Sequence, residues 1–265
     1  MRNPTDRRDA CPTDRQADKG MRNLKIIVEY DGTGYHGWQR QRDDITIQQT
    51  IEEKIGVITQ EKIRLIGSGR TDAGVHAIGQ VANFKIEAKI GERNLLRGIN
   101  SLLPEDIVIK SLVEVDERFH ARYDAKSKVY LYQIFNSSVP SALYRNYSWF
   151  VHSPLDIDDM EAAALRLIGS HDFSSFCAAN NDTLDYTRNV INVSIHREKN
   201  DIIKFSVEAD GFLRYMVRNI VGTLVDVGKG ELSPSKFLDI MEAKDRNMAG
   251  ITAPPQGLFL REVKY

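Results

Sequence analysis

The sequence predicts an α+β fold of two ferredoxin-like (split βαβ) halves with mainly antiparallel sheets. Over the first 124 residues the elements run strand, helix, strand, strand, helix, strand. The second half reopens that series with a strand and closes it with another. The third observation is composition: 265 residues with two cysteines and no long apolar run fit neither a disulfide scaffold nor a membrane bundle. A chain of this length can bury roughly three quarters of its unfolded surface, so its core needs no disulfide or metal.

The elements follow in order. Leu24–Tyr30 (LKIIVEY) is rich in β-branched and aromatic residues and stops at the turn pair Asp31-Gly32, which marks a strand. From Thr46 to Ile58 the residues Ile47, Ile51, Ile55 and Ile58 fall at helical spacing, with Thr46 as cap. Lys62–Ile66 reads as a short strand entering a glycine-rich loop, Gly79–Ile86 as a strand, Glu92–Ser101 as a short helix and Ile107–Val115 as a strand. Lys128–Phe135 (KVYLYQIF) reopens the series, Ile157–Ile168 follows as a helix, and Val190–His196 with Ile202–Ala209 form an antiparallel pair. Phe212–Val227 is expected to be the longest helix. It carries an apolar stripe, with Arg214 and Arg218 four residues apart on another face. Pro234–Met241 is a last short helix and Leu258–Val263 a terminal strand.

The expected organisation is a disordered extension over residues 1–20, an N-terminal half over 21–124 and a C-terminal half over 125–265. The extension is charged and almost without apolar residues, and Met21 is a candidate start of translation. The absence of a signal-like apolar core leads us to expect a cytoplasmic protein with no membrane attachment.

Thirty-six Lys and Arg against 37 Asp and Glu give a formal charge of −1, so any nucleic-acid partner has to be held by a local patch. Cys11 and Cys177 belong to no cluster, and the six histidines show no metal-ligand spacing. No serine sits in a nucleophile elbow.

Gly67-Ser68-Gly69-Arg70-Thr71-Asp72-Ala73-Gly74-Val75-His76-Ala77 is the most unusual segment. Its glycines let backbone approach a ligand, and an Arg two residues from an Asp can hold a carboxylate ionised, which suits a catalytic Asp72. The same residues suit a tight turn with a surface ion pair. A phosphate loop is disfavoured by the missing Gly-Lys-Ser/Thr ending. The segment from Asp31 to Arg40 offers flexible backbone, aromatic planes, an amide and a guanidinium, either to stack on bases or to pack as a hairpin-type loop. Tyr130 and Tyr132 face one side of one strand, cleft or core. Arg214 and Arg218 line either a solvated helix face or an anion site.

Taken together, YDGTGYHGWQRQ (30–41), GRTDAGVHA (69–77), the Ala125-x-x-Lys128-x-Tyr130-x-Tyr132 pattern, GFLRYMVRNIVGTL (211–224) and APPQGLFL (253–260) resemble the tRNA pseudouridine synthase A (TruA) family. The likeness runs in order from about Leu24 to the C-terminus. It implies two halves whose sheets join side by side around a central catalytic cleft, and an enzyme that isomerises uridine to pseudouridine at positions 38, 39 and 40 of the tRNA anticodon stem-loop. It implies tRNA as partner, a homodimer, and neither metal nor organic cofactor. Asp72 would be the catalytic residue; Tyr130 would stack on the uracil and help remove the final proton. Arg218 would pair with Asp72 and keep it ionised, Arg70 would help displace the target nucleotide, and Leu258 would supply an apolar wall. Lys128 departs from the expected Arg and replaces a bidentate donor by a point charge.

Three alternatives compete with this reading. A catalytically silent RNA-binding protein on the same scaffold would keep the aromatic and basic positions but lose the carboxylate. A synthase with other target positions differs only in groove shape. A small-molecule enzyme leaves the aromatic and basic loops beside Asp72 without a purpose.

Overall fold

A computed structural model of the chain describes residues 20–178 and 185–265. Most of the expected extension and Cys11 lie outside the described residues. In the first half, β1 (Arg22–Tyr30) alternates as a one-sided strand should: Leu24, Ile26, Val28 and Tyr30 are buried, whereas Lys25, Ile27 and Glu29 are half-buried. The buried side shares one core with Ile47, Ile51 and Ile55 of α1 (Ile47–Thr59) and with Leu95 and Ile99 of α2 (Glu92–Leu102). Thr46 caps α1 by accepting the Gln49 amide. The remaining strands of this half are β2 (Ile66–Gly67), β3 (His76–Ile86) and β4 (Ile107–Val115).

The second half contributes β5 (Ser127–Asn136), β6 (Trp149–Val151), α3 (Ile157–Ala164), β7 (Gly169–Asp172), β8 (Thr187–Arg197), β9 (Ile202–Ala209), α4 (Met216–Gly228), α5 (Pro234–Ala243) and β10 (Leu258–Lys264). The ten strands of the described residues form one mixed sheet ordered β4-β1-β3-β10-β5-β9-β8-β7, with β2 on β3 and β6 on β5. Within it β4-β1-β3-β2 and β10-β5-β9-β8 repeat the same order of first, second, third and fourth strands, so each half is a split βαβ unit. The halves meet side by side where β10 runs parallel to β3, pairing Phe259 with His76 and Leu260 with Ala77. That seam lies directly after the Asp72 loop.

Four local expectations are corrected. Residues 62–65 are not a strand, because α1 side chains take their backbone groups: the Leu65 amide donates to Glu52 Oε1 and the Leu65 carbonyl accepts from Gln48. Helix α3 ends at Ala164 and tightens into a 3-10 turn at Leu165–Leu167. Helix α4 starts at Met216 rather than Phe212, because Tyr215 takes a left-handed conformation (φ 64°); α4 is then no longer than α1. Arg214 therefore precedes the helix instead of sharing a face with Arg218. Strands β6 and β7 have no counterpart in the sequence reading.

Candidate active site

The Asp72 loop hangs between β2 and β3 on a buried polar frame. The Ser68 amide donates to the Val81 carbonyl at 2.7 Å, Ser68 Oγ donates to Gln80 Oε1 at 2.7 Å, and Gln80 Nε2 donates to the Gly69 carbonyl at 3.0 Å. Beneath Thr71, its Oγ1 shares a 2.7 Å hydrogen bond with the Tyr30 hydroxyl. Gln80 and Tyr30 are buried, so these bonds act in a low-dielectric interior and hold the loop in one conformation.

The aromatic loop at 30–41 supports the Asp72 loop from the side. The Trp38 amide donates to the Thr71 carbonyl at 3.1 Å, and the Gly74 amide donates to the Tyr35 carbonyl at 3.3 Å. Trp38 is buried, its indole resting so close on Gly67 that a Cβ there would sit 2.5 Å from Nε1. Tyr35 donates its hydroxyl to Asp106 at 2.7 Å. Of the two readings of this loop, packed aromatics hold for Trp38 and Tyr35. Gly37, at φ 88°, is required because a side chain would strike the Thr71 carbonyl at 2.5 Å.

Across the cleft, Arg218 lies in the first turn of α4. Its Nη1 stands 3.4 Å from Asp72 Oδ2, and its Nε donates to the Ala253 carbonyl at 2.7 Å, while the Ala253 amide donates back to the Arg218 carbonyl. Arg214 and Arg218 place their guanidinium carbons 4.9 and 5.0 Å from the Tyr215 ring, so both cations contact one aromatic ring. Holding a tyrosine at positive φ costs on the order of 1–3 kcal/mol, a strain met mainly at functional sites. The solvated-face reading of this pair fails for Arg218, only 13% exposed.

Burial raises the Asp72 carboxyl above the ordinary carboxylate range, and Arg218 and then Arg214 oppose that rise without cancelling it. The expected pairing with Arg218 is present, but the balance of burial and charge leaves Asp72 a stronger base than a surface aspartate.

Strand β5 forms the floor. Lys128, Tyr130 and Tyr132 share one side of it: Lys128 and Tyr130 line the cleft, and Tyr132 lies beneath, donating its hydroxyl to the Pro254 carbonyl at 2.7 Å. Tyr130 meets Phe212 edge to face, with ring centroids 4.9 Å apart. Burial pushes the Tyr130 phenol up, and Tyr30 and Asp72 push it further, so it stands protonated. Leu258, paired in register with Tyr132, is buried and lines the cleft. Arg70 is exposed at the rim and donates to Gln39 at 3.2 Å.

The cleft encloses about 1130 Å³ and brings together all five residues singled out from the sequence. Among the described residues its lining holds six arginines and one lysine around a single carboxylate, that of Asp72. This concentration of cations in a chain of net charge −1 is the local patch that the overall balance required. Among the described residues no group of three His, Cys, Asp or Glu is arranged to hold a metal. Sequence reasoning missed Gln80 and the Tyr30–Thr71 bond behind the loop, the Ala253 carbonyl, Tyr215 and the 120–123 turn. Alternation along β3 and the aromatic at the end of β1 were signals for the first two, whereas the rest depend on tertiary placement.

Among the described residues, one carboxylate set among seven cations over an aromatic floor has the make-up of a site for ionic chemistry on an anionic substrate. A family model described as tRNA pseudouridine synthase matches residues 26–124 and 163–265. A relative from Thermoanaerobacter sp. (strain X514), "tRNA pseudouridine synthase A", is 48% identical over 245 residues, covering 92% of this chain and all of that protein. Relatives of the same name from Acetivibrio thermocellus and Geotalea uraniireducens are 49% and 46% identical over the same shares. The chain belongs to the tRNA pseudouridine synthase family.

Proposed function

We propose that the chain is an isomerase that converts uridine to pseudouridine at positions 38, 39 and 40 of the tRNA anticodon stem-loop. The observation that carries this reading is the Asp72 carboxylate, single among the described residues of the cleft, set among seven cations opposite Tyr130. The reaction detaches uracil at N1, turns it over and rejoins it through C5, so one glycosidic bond breaks, one C–C bond forms, and a proton leaves C5 while N1 gains one. No atom or electron is gained overall, so the isomerisation needs no external oxidant, reductant or co-substrate.

Asp72 is the group that acts on the sugar or base, as nucleophile or as stabiliser of the separated fragments. Arg218 aims its carboxylate and limits the rise in its pKa. Tyr130 stacks on the uracil, and Leu258 and Phe212 close its apolar surroundings so that the free base is retained. A phenol as raised as that of Tyr130 takes the C5 proton only if it passes its own on at the same time, which makes it a relay rather than a free base. Arg70, at the rim, takes the place of the target in the RNA stack, as chemistry on a stacked base requires. Lys128 and the remaining arginines hold phosphates.

We also propose that the enzyme works as a homodimer in the cytoplasm. Exposed apolar residues Val139, Leu143 and Phe150 offer a contact surface, and among the described residues no helix is long and apolar enough to cross a membrane. Light scattering at working concentration tests the dimer. Incubation with unmodified tRNA transcripts, followed by carbodiimide labelling and primer extension, tests the activity and its positions: stops at 38, 39 and 40 support the proposal, and stops elsewhere or none count against it.

A further inference from the structure

The segment between the two halves, residues 119–124, builds a feature that the reaction at Asp72 does not use. Its turn is rigid: the His120 amide donates to Asp124 Oδ2 at 2.8 Å, the Asp124 amide returns to the His120 carbonyl at 3.0 Å, and His120 Nδ1 accepts the Arg122 and Tyr123 amides at 3.2 and 3.3 Å. Ala121 is buried and pins the turn, its amide donating to Asn83 and its carbonyl accepting from Tyr265. On this base the Tyr123 ring lies 4.2 Å from the His120 ring, tilted by 30°, with the Arg122 guanidinium 5.9 Å away. Tyr123 nevertheless stays 71% exposed. An aromatic ring that is packed on a neighbouring ring yet largely exposed, on a turn closed by its own hydrogen bonds, is a stacking platform.

The platform belongs to the same cleft as Asp72. His120, Arg122, Tyr123 and Lys128 all line it, and the Lys128 side chain bridges the distance, packing against Gly69 of the Asp72 loop. Lys128 and Arg122 are near enough to repel: the Lys128 amine is held below the ordinary lysine range by burial and then by Arg122, with Asp210 opposing them. Two cations kept close without a full counter-charge suit an anion placed between them.

We propose that His120, Arg122, Tyr123 and Lys128 form a second nucleotide subsite on the rim of the cleft. Lys128 and Arg122 take a backbone phosphate of the RNA, and the open face of Tyr123 carries an unpaired base attached to it. The occupant is a nucleotide next to the target in the same strand, distinct from the uracil on Tyr130, and the proposal rests on the RNA-modifying reading of the cleft. Stacking tolerates any base, so the subsite selects for an unpaired neighbour rather than for a sequence.

The test is equilibrium binding of an unmodified anticodon stem-loop RNA, followed by fluorescence anisotropy, with wild type, Tyr123→Ala and Tyr123→Phe. The RNA is also made with an abasic site at each loop position in turn. Tyr123→Ala is expected to raise Kd about 5- to 160-fold, the worth of one base–aromatic stack, and Tyr123→Phe to restore the wild-type value. One abasic position should weaken wild type comparably and leave the Ala variant unmoved. Arg122→Ala should lower the slope of log K against log salt by about one. An Ala variant that binds as wild type does, or abasic penalties that are the same in both, would overturn the subsite. Because the readout is binding, failure of the wild type to form pseudouridine would sink the synthase reading while leaving this result to stand or fall by itself.

Discussion

Replacing Arg218 with glutamine removes the guanidinium that stands 3.4 Å from Asp72 and tests how the carboxylate proposed to be catalytic is tuned. At that distance and an effective dielectric constant of about 20, the attraction is about 5 kcal/mol. Asp72 keeps 31% of its side chain exposed, so water screens the pair toward the surface value of about 1 kcal/mol and leaves roughly 1.5–3 kcal/mol. Each pH unit corresponds to about 1.4 kcal/mol, so the Asp72 pKa, already raised by burial, should rise by about one to two further units. An enzyme that works through the ionised carboxylate loses activity as pH falls through that value. The acid limb of the single-turnover rate constant should therefore move to higher pH by one to two units in Arg218→Gln. Release of tritium from RNA labelled at uridine C5 follows the reaction under saturating, single-turnover conditions. A variant that is slower at every pH with its acid limb unmoved would refute the electrostatic role of Arg218, and thermal melts show whether loss of the bond to Ala253 has unfolded the site.

Other consequences follow from the same geometry. Asp72 has a raised pKa in the folded state, so the folded protein binds its proton more tightly than the unfolded chain; its effect on stability is least adverse below the unfolded value of about 3.9 and worsens as pH rises through the folded one. Asp72→Asn should therefore melt a few degrees higher than wild type at pH 7.5, with the gain vanishing near pH 3.5; a lower melting point at pH 7.5 would contradict this. A Cβ on Gly222 would lie 1.7 Å from the Ile251 carbonyl oxygen, so Gly222→Ala must push the 249–253 loop off α4. It should cost about 1–3 kcal/mol in denaturant unfolding and lower kcat by moving Ala253, which holds Arg218. Tyr30→Phe removes the bond to Thr71, which should cost about 1 kcal/mol and lower kcat more than it raises KM, because the loop and not the RNA surface is loosened.

The strongly patterned elements were legible because their burial follows a single period. The four isoleucines of α1 and the alternation of β1 needed no tertiary information. The start of α4 was not legible: its apolar stripe continues back through Leu213, and nothing in that pattern marks Tyr215 as left-handed. Strand β7 is four residues of Gly-Ser-His-Asp whose strand character comes from pairing with β8, not from propensity. At the site, Asp72, Tyr130, Arg218, Arg70 and Leu258 came from separated motifs, and the fold brings them to one cleft. Motif reading left open whether the 30–41 aromatics meet bases or pack, and the burial of Trp38 and Tyr35 beside the Asp72 loop decides for packing at those two positions. The net rise of the Asp72 pKa was likewise hidden, since spacing reveals the partner of a carboxylate but not its burial.

The central claim is that the Asp72 carboxylate carries the isomerisation. The most direct measurement compares wild type and Asp72→Asn for pseudouridine formed in an unmodified tRNA transcript at enzyme excess, with binding of the same RNA measured alongside. Pseudouridine at the anticodon stem-loop from wild type, none from the variant and equal RNA affinity for both is the expected result. Equal product from the two proteins, or tight binding by wild type with no product, would contradict it.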